Sequence, residues 1–387
     1  MGIFSYKHIE YSNNLWWQFT FAGDAPRFLR ATVGAVVVIL VISTAKLLRP
    51  VTPEFSLPAS SDLEKIHSIT AESRNTSANL AFLGDKSLLF SGSGNSFIMY
   101  GVEGRSWIAM GDPIGPNEET AELAWRFLEM CDRYNGWTVF YEAGTENLQL
   151  YSDLGLTFVK LGEEARVLLE TFSLKGHKHK DMRHVLNKLD REGCSFEIMP
   201  PETVSVILPE LKTVSDAWLE EKKTGEKGFS PGFFNDEYLK RFPAAVVKRE
   251  GKIIAFTNIW TVAGKEELSI DLMRYLPDAP HGTMDYLFIR LILWGKQEGY
   301  KWFNLGMAPL SGLEDHALAP LWSRLGAFVF RHGEHFYNCQ GLRQYKEKFD
   351  PEWQPKYVAY PCGLSLPRIL TNIASLISRG PAGILTK

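Results

Sequence analysis

The chain has little cysteine for its length and no strong excess of either charge. Its four cysteines (Cys131, Cys194, Cys339, Cys362) are spread over 387 residues and form no CxxC pair. Neither a disulfide framework nor a zinc site is therefore indicated. The formal net charge of −3 argues against broad, nonspecific coating of nucleic acid. Any contact with RNA must come from a local basic patch.

Long uncharged apolar runs are scarce, and one segment is a candidate membrane helix. Residues 31–45 carry no charge, but fifteen helical residues span only about 22 Å of a hydrocarbon core of roughly 30 Å. Counting from 28 to 48 gives about 31 Å, with Arg30 and Lys46 near the ends. A signal peptide is the alternative; it is disfavoured because the run starts late and no convincing cleavage site follows. We predict a transmembrane helix at 28–48, after an N-terminal flank (1–27), and the basic residues at both ends leave its orientation open.

The rest of the chain has a repeated order of predicted strands and helices. After a linker rich in proline and serine (49–62), three short apolar strands precede a helix, a strand, a helix and a strand. The same order returns after a helical region at 202–223. This is the order of acetyltransferase-like (GNAT) domains, so we predict an α+β fold of two such domains in tandem with mixed sheets. Their predicted bounds are 63–174 and 194–362.

The pattern also predicts where the individual elements lie. In the first domain we expect strands near 86–90, 96–102, 106–111, 137–141 and 157–161, and helices near 118–134 and 147–153. In the second domain we expect strands near 244–249, 252–261, 267–275 and 301–305, and helices near 283–298 and 341–348.

Two amphipathic helices are predicted outside these domains. The segment 175–193 contains six Lys or Arg and three acids, with apolar residues at helical spacing. Its basic face is either a solvated connector or a surface for RNA phosphates or anionic headgroups. Its histidines lack the spacing of a metal site. The C-terminal segment, 363–387, begins with a helix whose apolar stripe either packs on the protein or lies in a membrane interface.

The most informative segment runs from Ser91 to Pro116, SGSGNSFIMYGVEGRSWIAMGDPIGP, which is typical of short hairpins and a Gly-Asp-Pro turn. It closely resembles the cytosolic synthase domain of the bacterial aminoacyl-phosphatidylglycerol synthases (the MprF family). Further matches are ELSIDLMRY, FNLGMAPLSGLEDH and RHGEHFYNCQGLRQYKEKFDPEW. The resemblance starts near Trp16, and residues 16–50 resemble the last membrane helix and exit linker of full-length members. The upstream flippase domain of those members is not in this sequence, which leaves a synthase-only version or an excerpt open.

The resemblance implies an aminoacyltransferase at the cell membrane, with its catalytic domains facing the cytoplasm. The family transfers an aminoacyl group from aminoacyl-tRNA to the glycerol hydroxyl of phosphatidylglycerol, which reduces the negative charge of the membrane. Lysyl transfer is the expected reaction, and alanyl transfer is the alternative. Because the donor is an activated ester, no cofactor and no metal are expected.

Three residues are implied as catalytic by these matched motifs. Asp271 and Arg274 lie in SIDLMRY, where Asp271 is expected on the polar face of a strand that lines a cleft. Without the resemblance, a solvated Asp paired with a neighbour would be the simpler reading. Arg274 points to the opposite side of an ideal strand, so joint action with Asp271 requires a bulge or a strand end. Lys346, in RQYKEKF, is expected near the tRNA acceptor end or the developing oxyanion.

Weaker candidates for substrate binding come from three segments. They are Glu334, His335, Arg343, Lys178, Lys180 and Arg183. A histidine beside aromatic residues is more often a structural hydrogen bonder than a base, and clustered surface cations are often only solvated.

The pyrophosphate-binding signature of acetyl-coenzyme A enzymes is also lacking. Residues 277–286, PDAPHGTMDY, contain one glycine and two prolines where that fold usually has several glycines. We therefore expect no coenzyme A. Two other hypotheses stay open: a peptidoglycan-directed or acyl-CoA transferase on the same fold, and a non-catalytic membrane-tethered module. Mass spectrometry of the lipids made by a host that expresses the chain would discriminate between them.

Overall fold

The computed structural model describes residues 27–47, 57–313 and 339–380. The chain divides into two units, Met1–Pro53 and Glu54–Lys387, and each is described by itself. In the first unit, helix α1 covers Arg27–Leu47, and its apolar side chains at 36–42 are exposed. A search of the described residues finds no helix with the length and apolarity needed to cross a membrane. The transmembrane helix at 28–48 stays a prediction of the sequence.

The second unit is built on one mixed sheet of eleven strands, in the order β1-β2-β3-β4-β11-β5-β10-β9-β8-β7-β6. The strands of the first half are β1 Ser87–Phe90, β2 Phe97–Glu103, β3 Ser106–Met110, β4 Trp137–Ala143 and β5 Leu156–Leu168. Those of the second half are β6 Cys194–Met199, β7 Ala244–Arg249, β8 Lys252–Thr261, β9 Glu267–Tyr275, β10 Trp302–Pro309 and β11 Glu352–Pro361.

The described helices connect these strands or cover the sheet. They are α2 Ser60–Glu72, α3 Asn117–Arg133, α4 Leu148–Asp153, α5 Lys180–Arg191, α6 Pro201–Lys222, α7 Asp236–Leu239, α8 Thr283–Gln297, α9 Cys339–Glu347 and α10 Leu366–Ile377. Short 3-10 helices lie at Thr76–Leu83, Thr145–Asn147 and Ala263–Lys265.

The predicted element order is confirmed in both halves. β1, β2 and β3 are antiparallel, and α3 leads to β4, which is parallel to β3. β7, β8, β9, α8 and β10 repeat this arrangement. The mixed α+β fold is therefore confirmed. The prediction did not include β6 and β11, and β5 extends to Leu168 rather than ending near 161.

The two halves exchange strands at the centre of the sheet. β5, from the first half, pairs with β10 of the second half, and β11 pairs with β4 of the first half. β5 and β11 also pair with each other along nearly their whole length. The sheets of the two halves are thus one continuous sheet, and residues near its centre come from both halves.

Alternating side chains place separate apolar clusters on the two faces of this sheet. One cluster extends over both halves and includes residues of α2, α6 and α10. On the opposite face, α5 and α8 cover the second half, and α3 covers the first. The predicted basic helix is observed as α5, and its buried residues Met182, Leu186 and Leu189 form the packed face.

The C-terminal helix packs on the protein rather than offering its stripe to solvent. In α10, Ile369 is 0 % and Ile373 4 % exposed, and both belong to the large cluster. The amide of Asn372 also donates to the hydroxyl of Ser106 at 2.9 Å. The packing alternative of the sequence analysis is therefore the one observed.

Replacing Ile369 by alanine should lower the free energy of unfolding by about 2–4 kcal/mol, because it leaves a cavity in this cluster. Leu364 is 100 % exposed just before the helix, so Leu364→Ala should change stability by less than about 0.5 kcal/mol. Urea unfolding of the two variants tests this difference. Equal stability of both would mean that α10 does not contribute to the core.

Candidate active site

The candidate site lies where two parallel strands separate. β9 and β10 pair only over residues 267–269 and 302–304. Beyond that point β9 continues to Tyr275 and β10 to Pro309. Asp271 lies on β9 past the point of separation, and Lys346 binds β10 past the same point. The diverging strands thus carry the two strongest candidates from the sequence.

A β-bulge brings Asp271 and Arg274 to the same face of β9. Ile259 pairs with Ile270, but Thr257 pairs with Met273, so β9 has one residue more than β8 in this interval. Such an extra residue shifts the alternation of side chains. The bulge that joint action of Asp271 and Arg274 required is therefore present.

The carboxylate of Asp271 is held by two donors. The hydroxyl of Tyr238 donates to Oδ2 at 2.6 Å, and the backbone N–H of Gly232 donates to Oδ1 at 2.7 Å. The Tyr238 oxygen accepts the indole N–H of Trp260 at 2.9 Å, so its own proton is directed to Asp271. Burial raises the pKa of Asp271, and these donors and the ammonium of Lys86 oppose that rise.

Arg274 has structural partners of its own. Its guanidinium donates to the Glu226 carboxylate at 3.1 Å and lies 4.2 Å from the ring centre of Trp218. Burial lowers the pKa of Arg274, and Glu226 opposes this. Asp271 and Arg274 influence each other electrostatically, but no hydrogen bond joins them in the described structure. Arg274 therefore contributes positive charge near Asp271 while it anchors Glu226.

Lys346 is buried, with 6 % of its surface exposed. Its Nζ donates to the carbonyl oxygens of Gly306 at 2.9 Å and Met307 at 2.8 Å. These carbonyls belong to a bulge of β10, where the pairing with β5 shifts register. Burial lowers the pKa of Lys346 to about 8, against the opposing effect of Glu164 and Glu142. A protonated amine keeps a third N–H that it can direct to a substrate.

A loop at residues 225–235, here called the strap, connects the surroundings of Asp271 with those of Lys346. The strap donates to Asp271 through Gly232 and to Glu142 through the hydroxyl of Ser230 at 3.1 Å. Glu142 in turn acts electrostatically on Lys346. No hydrogen bond joins Asp271 to Lys346 among the described residues, and the strap and Glu142 link their surroundings through these contacts.

The strap is itself fixed by carboxylates. The N–H of Phe229 donates to Asp85 at 2.9 Å, and the N–H of Phe234 donates to Glu226 at 3.3 Å. Asp85 also accepts from the buried ammonium of Lys86 at 2.5 Å. These contacts keep the backbone N–H of Gly232 aimed at Asp271.

A cleft of about 1050 Å³ opens on the first half of the sheet and on its centre. One wall is the Gly-Asp-Pro turn after β3, in which Asp112 accepts from the N–H of Gly144 at 2.8 Å. Its carboxylates are those of Glu72, Asp112, Glu118, Glu146, Glu164 and Glu267. Its cations are those of Arg74, Arg166 and Lys356. Asp271 and Lys346 are not part of the lining of this cleft. The cleft that Asp271 was predicted to line is therefore not this one.

The weaker candidates are mostly engaged in local contacts. Lys178 pairs with Asp350, and Arg183 donates to the carbonyls of Leu174 and Gly176 at the start of the connector. Arg343 pairs with Glu163. Lys180 is exposed at the start of α5. Glu334 and His335 lie outside the described residues.

Sequence reasoning did not select four residues that surround the candidates. These are Glu142, Glu164, Tyr238 and Lys356. Each carries only a charged or hydroxyl side chain within a strand or short helix as its sequence signal, and many surface positions share that signal. Within the described residues no group of three or more His, Cys, Asp or Glu could hold a metal ion.

Comparison with known proteins assigns the chain to a family. Residues 68–360 match the family model described as phosphatidylglycerol lysyltransferase, C-terminal. The chain therefore belongs to this family. The curated phosphatidylglycerol lysyltransferase of Bacillus subtilis (strain 168) is 42 % identical over 307 residues, which are 79 % of this chain and 36 % of that protein. The Staphylococcus epidermidis protein of the same name (strain RP62A) is 36 % identical over 305 residues, 78 % of this chain and 36 % of that one.

Two solved structures are similar over most of the chain. A C-terminal domain from Agrobacterium fabrum has 42 % identity and a TM-score of 0.76, over 83 % of this chain and 98 % of that one. The structure described as L-PGS from Bacillus licheniformis has 39 % identity and a TM-score of 0.73, over 84 % and 99 %. The match spans about a third of the length of the curated relatives.

Proposed function

We propose that the chain transfers an aminoacyl group from aminoacyl-tRNA to the glycerol hydroxyl of phosphatidylglycerol. Membership of the family supports this, because its curated relatives are named phosphatidylglycerol lysyltransferase. The observation that carries the proposal is a largely buried carboxylate, Asp271, and a buried ammonium, Lys346, beyond the separation of two parallel strands. An ester transfer needs an acceptor for the hydroxyl proton and a donor for the oxyanion.

In the proposed reaction the lipid hydroxyl oxygen attacks the carbonyl carbon of the aminoacyl ester. Asp271 takes the hydroxyl proton, and the third N–H of Lys346 donates to the oxyanion of the tetrahedral intermediate. The bond to the tRNA ribose oxygen then breaks, and that oxygen takes the proton held by Asp271, which restores the carboxylate. The new ester replaces the old one, so the step needs neither ATP nor a redox partner.

We propose that the cleft beside the Gly-Asp-Pro turn admits the aminoacyl end of the donor. It shares Glu164 and Lys356 with the surroundings of Lys346. Its excess of carboxylates over cations favours a cationic aminoacyl group, which supports lysyl transfer over alanyl transfer. The exposed cations of α5 and its preceding segment are proposed to meet tRNA phosphates.

We also propose that the protein works at the cell membrane with its synthase part in the cytoplasm. The acceptor is a membrane lipid, while charged tRNA is made in the cytoplasm. The predicted helix at 28–48 would hold the synthase part near its lipid.

Expression in a host without aminoacylated lipids is expected to produce an aminoacyl-phosphatidylglycerol, with the lysyl form as the main product. Mass spectrometry of the lipid extract measures it and distinguishes lysyl from alanyl product. The Asp271→Asn variant is the matched control. Unchanged lipids in cells that contain folded protein and charged tRNA would refute the proposed function.

A further inference from the structure

The backbone of Glu142 has a conformation that glutamate rarely adopts. Its φ is +63°, in the left-handed region that favours glycine. The residue is the extra one of a bulge in β4, because Tyr357 of β11 pairs with Ala143 and Val358 pairs with Tyr141. A non-glycine residue there costs of order 1–3 kcal/mol, and such strain is concentrated at functional sites. If the residue served only to form the bulge, a glycine would adopt this φ without strain.

The bulge directs the Glu142 side chain into the interior, where charges from both halves meet. Burial raises the pKa of Glu142. The hydroxyl of Ser230 donates to its carboxylate, and Tyr141 also interacts with it. The charged groups that face it are Lys356 on β11, Glu164 on β5 and Lys346 on α9.

These groups form a balanced cluster, here called the four-charge cluster: Glu142, Glu164, Lys346 and Lys356. The carboxylates come from the first half and the ammonium groups from the second. The ammonium of Lys356 lies 3.4 Å from the carboxylate of Glu164. Glu164 also acts electrostatically on Lys346, so it is shared between the two cations. Among the described residues Glu142 makes no ion pair of this kind; its carboxylate instead accepts a hydrogen bond from Ser230 of the strap, which also binds Asp271.

We propose that Glu142 is a positioning residue of the acyl-transfer site, which acts through Lys346 and the strap. The inference rests on the proposed function. The Glu142 carboxylate stabilises the ammonium form of Lys346, and Ser230 ties it to the loop that aims Gly232 at Asp271. Glu142 thereby couples the group that binds the oxyanion to the group that takes the proton. The left-handed backbone of the β4 bulge brings this carboxylate to the hydroxyl of Ser230, a contact that Glu164 does not make.

The test compares pH–rate profiles of the wild-type chain, Glu142→Gln and Glu142→Gly. Loss of the carboxylate should lower the Lys346 pKa further, so the basic limb of kcat should move to lower pH by about one unit. At pH 8 kcat should fall about fivefold, because the protonated fraction of Lys346 falls from about one half to about one tenth, and it should recover in part below pH 7. Glycine suits a φ of +63°, so Glu142→Gly tests the side chain in a backbone that accepts it.

A matched control is Glu197→Gln, which removes a carboxylate paired with Lys248 at 2.7 Å on the outer strands. Its pH profile should equal that of the wild type. Wild-type profiles in both Glu142 variants, or an equal loss of rate at every pH, would overturn the proposal. Carbon-13 NMR of lysine-labelled chain, assigned with Lys346→Arg, follows the Lys346 titration without turnover. A wild-type chain that makes no lipid product would instead refute the proposed function, whatever that titration shows.

Discussion

Replacing Asp271 by asparagine is expected to lower kcat for aminoacyl transfer by about 10²–10⁴-fold, because an amide cannot accept the proton of the lipid hydroxyl. KM should change little, since asparagine has nearly the same size and shape as aspartate and leaves the space between β9 and β10 unchanged. The wild-type rate should also fall on the acid side at a pH above the ordinary carboxyl value, because burial raises the pKa of Asp271. The acid limb should be absent from the residual activity of the variant.

The substitution also has a structural cost that must be separated from the catalytic one. Both oxygens of Asp271 accept hydrogen bonds, from Gly232 and Tyr238. The asparagine NH₂ must therefore face one of these donors, which costs about 1–3 kcal/mol of stability. Rates should be measured on protein shown to be folded by its melting temperature.

Tyr238→Phe is the matched control for this loss of stability. It removes one donor to Asp271 and leaves the indole N–H of Trp260 without its acceptor, yet it keeps the carboxylate. We expect comparable destabilisation and a loss of rate below about tenfold. If Asp271→Asn keeps nearly the wild-type kcat, the proton acceptor is another group, and Glu334 and His335 are the next to test.

The sequence predicted the elements well where local pattern decides them. β2, β3, β8 and β9 combine apolar strand residues with glycine turns, and their positions agree within one or two residues with the structure. β11 was missed because Pro355 lies inside it and proline argues against a central strand. Pro355 precedes the part of β11 that pairs with β4, which begins at Tyr357, so at Pro355 the strand pairs with β5 alone. β6 was missed because it is a short edge strand with exposed alternate residues.

The site was only partly predictable, for a different reason. Asp271 and Lys346 came from matched motifs, but their surroundings depend on contacts between distant segments. Glu142 meets Ser230 across 88 residues, and Lys346 meets Gly306 across 40. No periodicity encodes such contacts. Strand exchange between the halves, which brings Lys356 beside Glu164, is likewise a property of the whole sheet.

Replacing Lys346 by methionine should lower kcat by about 10²–10³-fold, the usual effect of removing one oxyanion donor. The wild-type rate should fall as pH rises above about 8, because the Lys346 pKa is lowered to about 8 and only the ammonium form donates a third hydrogen bond. The residual rate of Lys346→Met should lack this basic limb. Lys348→Met is the matched control, since Lys348 lies just beyond α9, where its ammonium is 3.4 Å from the Asp285 carboxylate and 4.7 Å from the ring centre of Tyr345.

A stability measurement checks the Lys346 pKa without catalysis. The folded-state value, about 8, lies below the ordinary value of 10.5. Between these values the unfolded chain still holds a proton that the folded chain has released. Stability should therefore rise with pH across this window in the wild type, and Lys346→Met should lack this contribution. Urea unfolding at pH 8 and pH 10 measures both. An equal pH dependence in the two proteins, together with a retained basic limb in the variant, would mean that Lys346 only holds the β10 bulge.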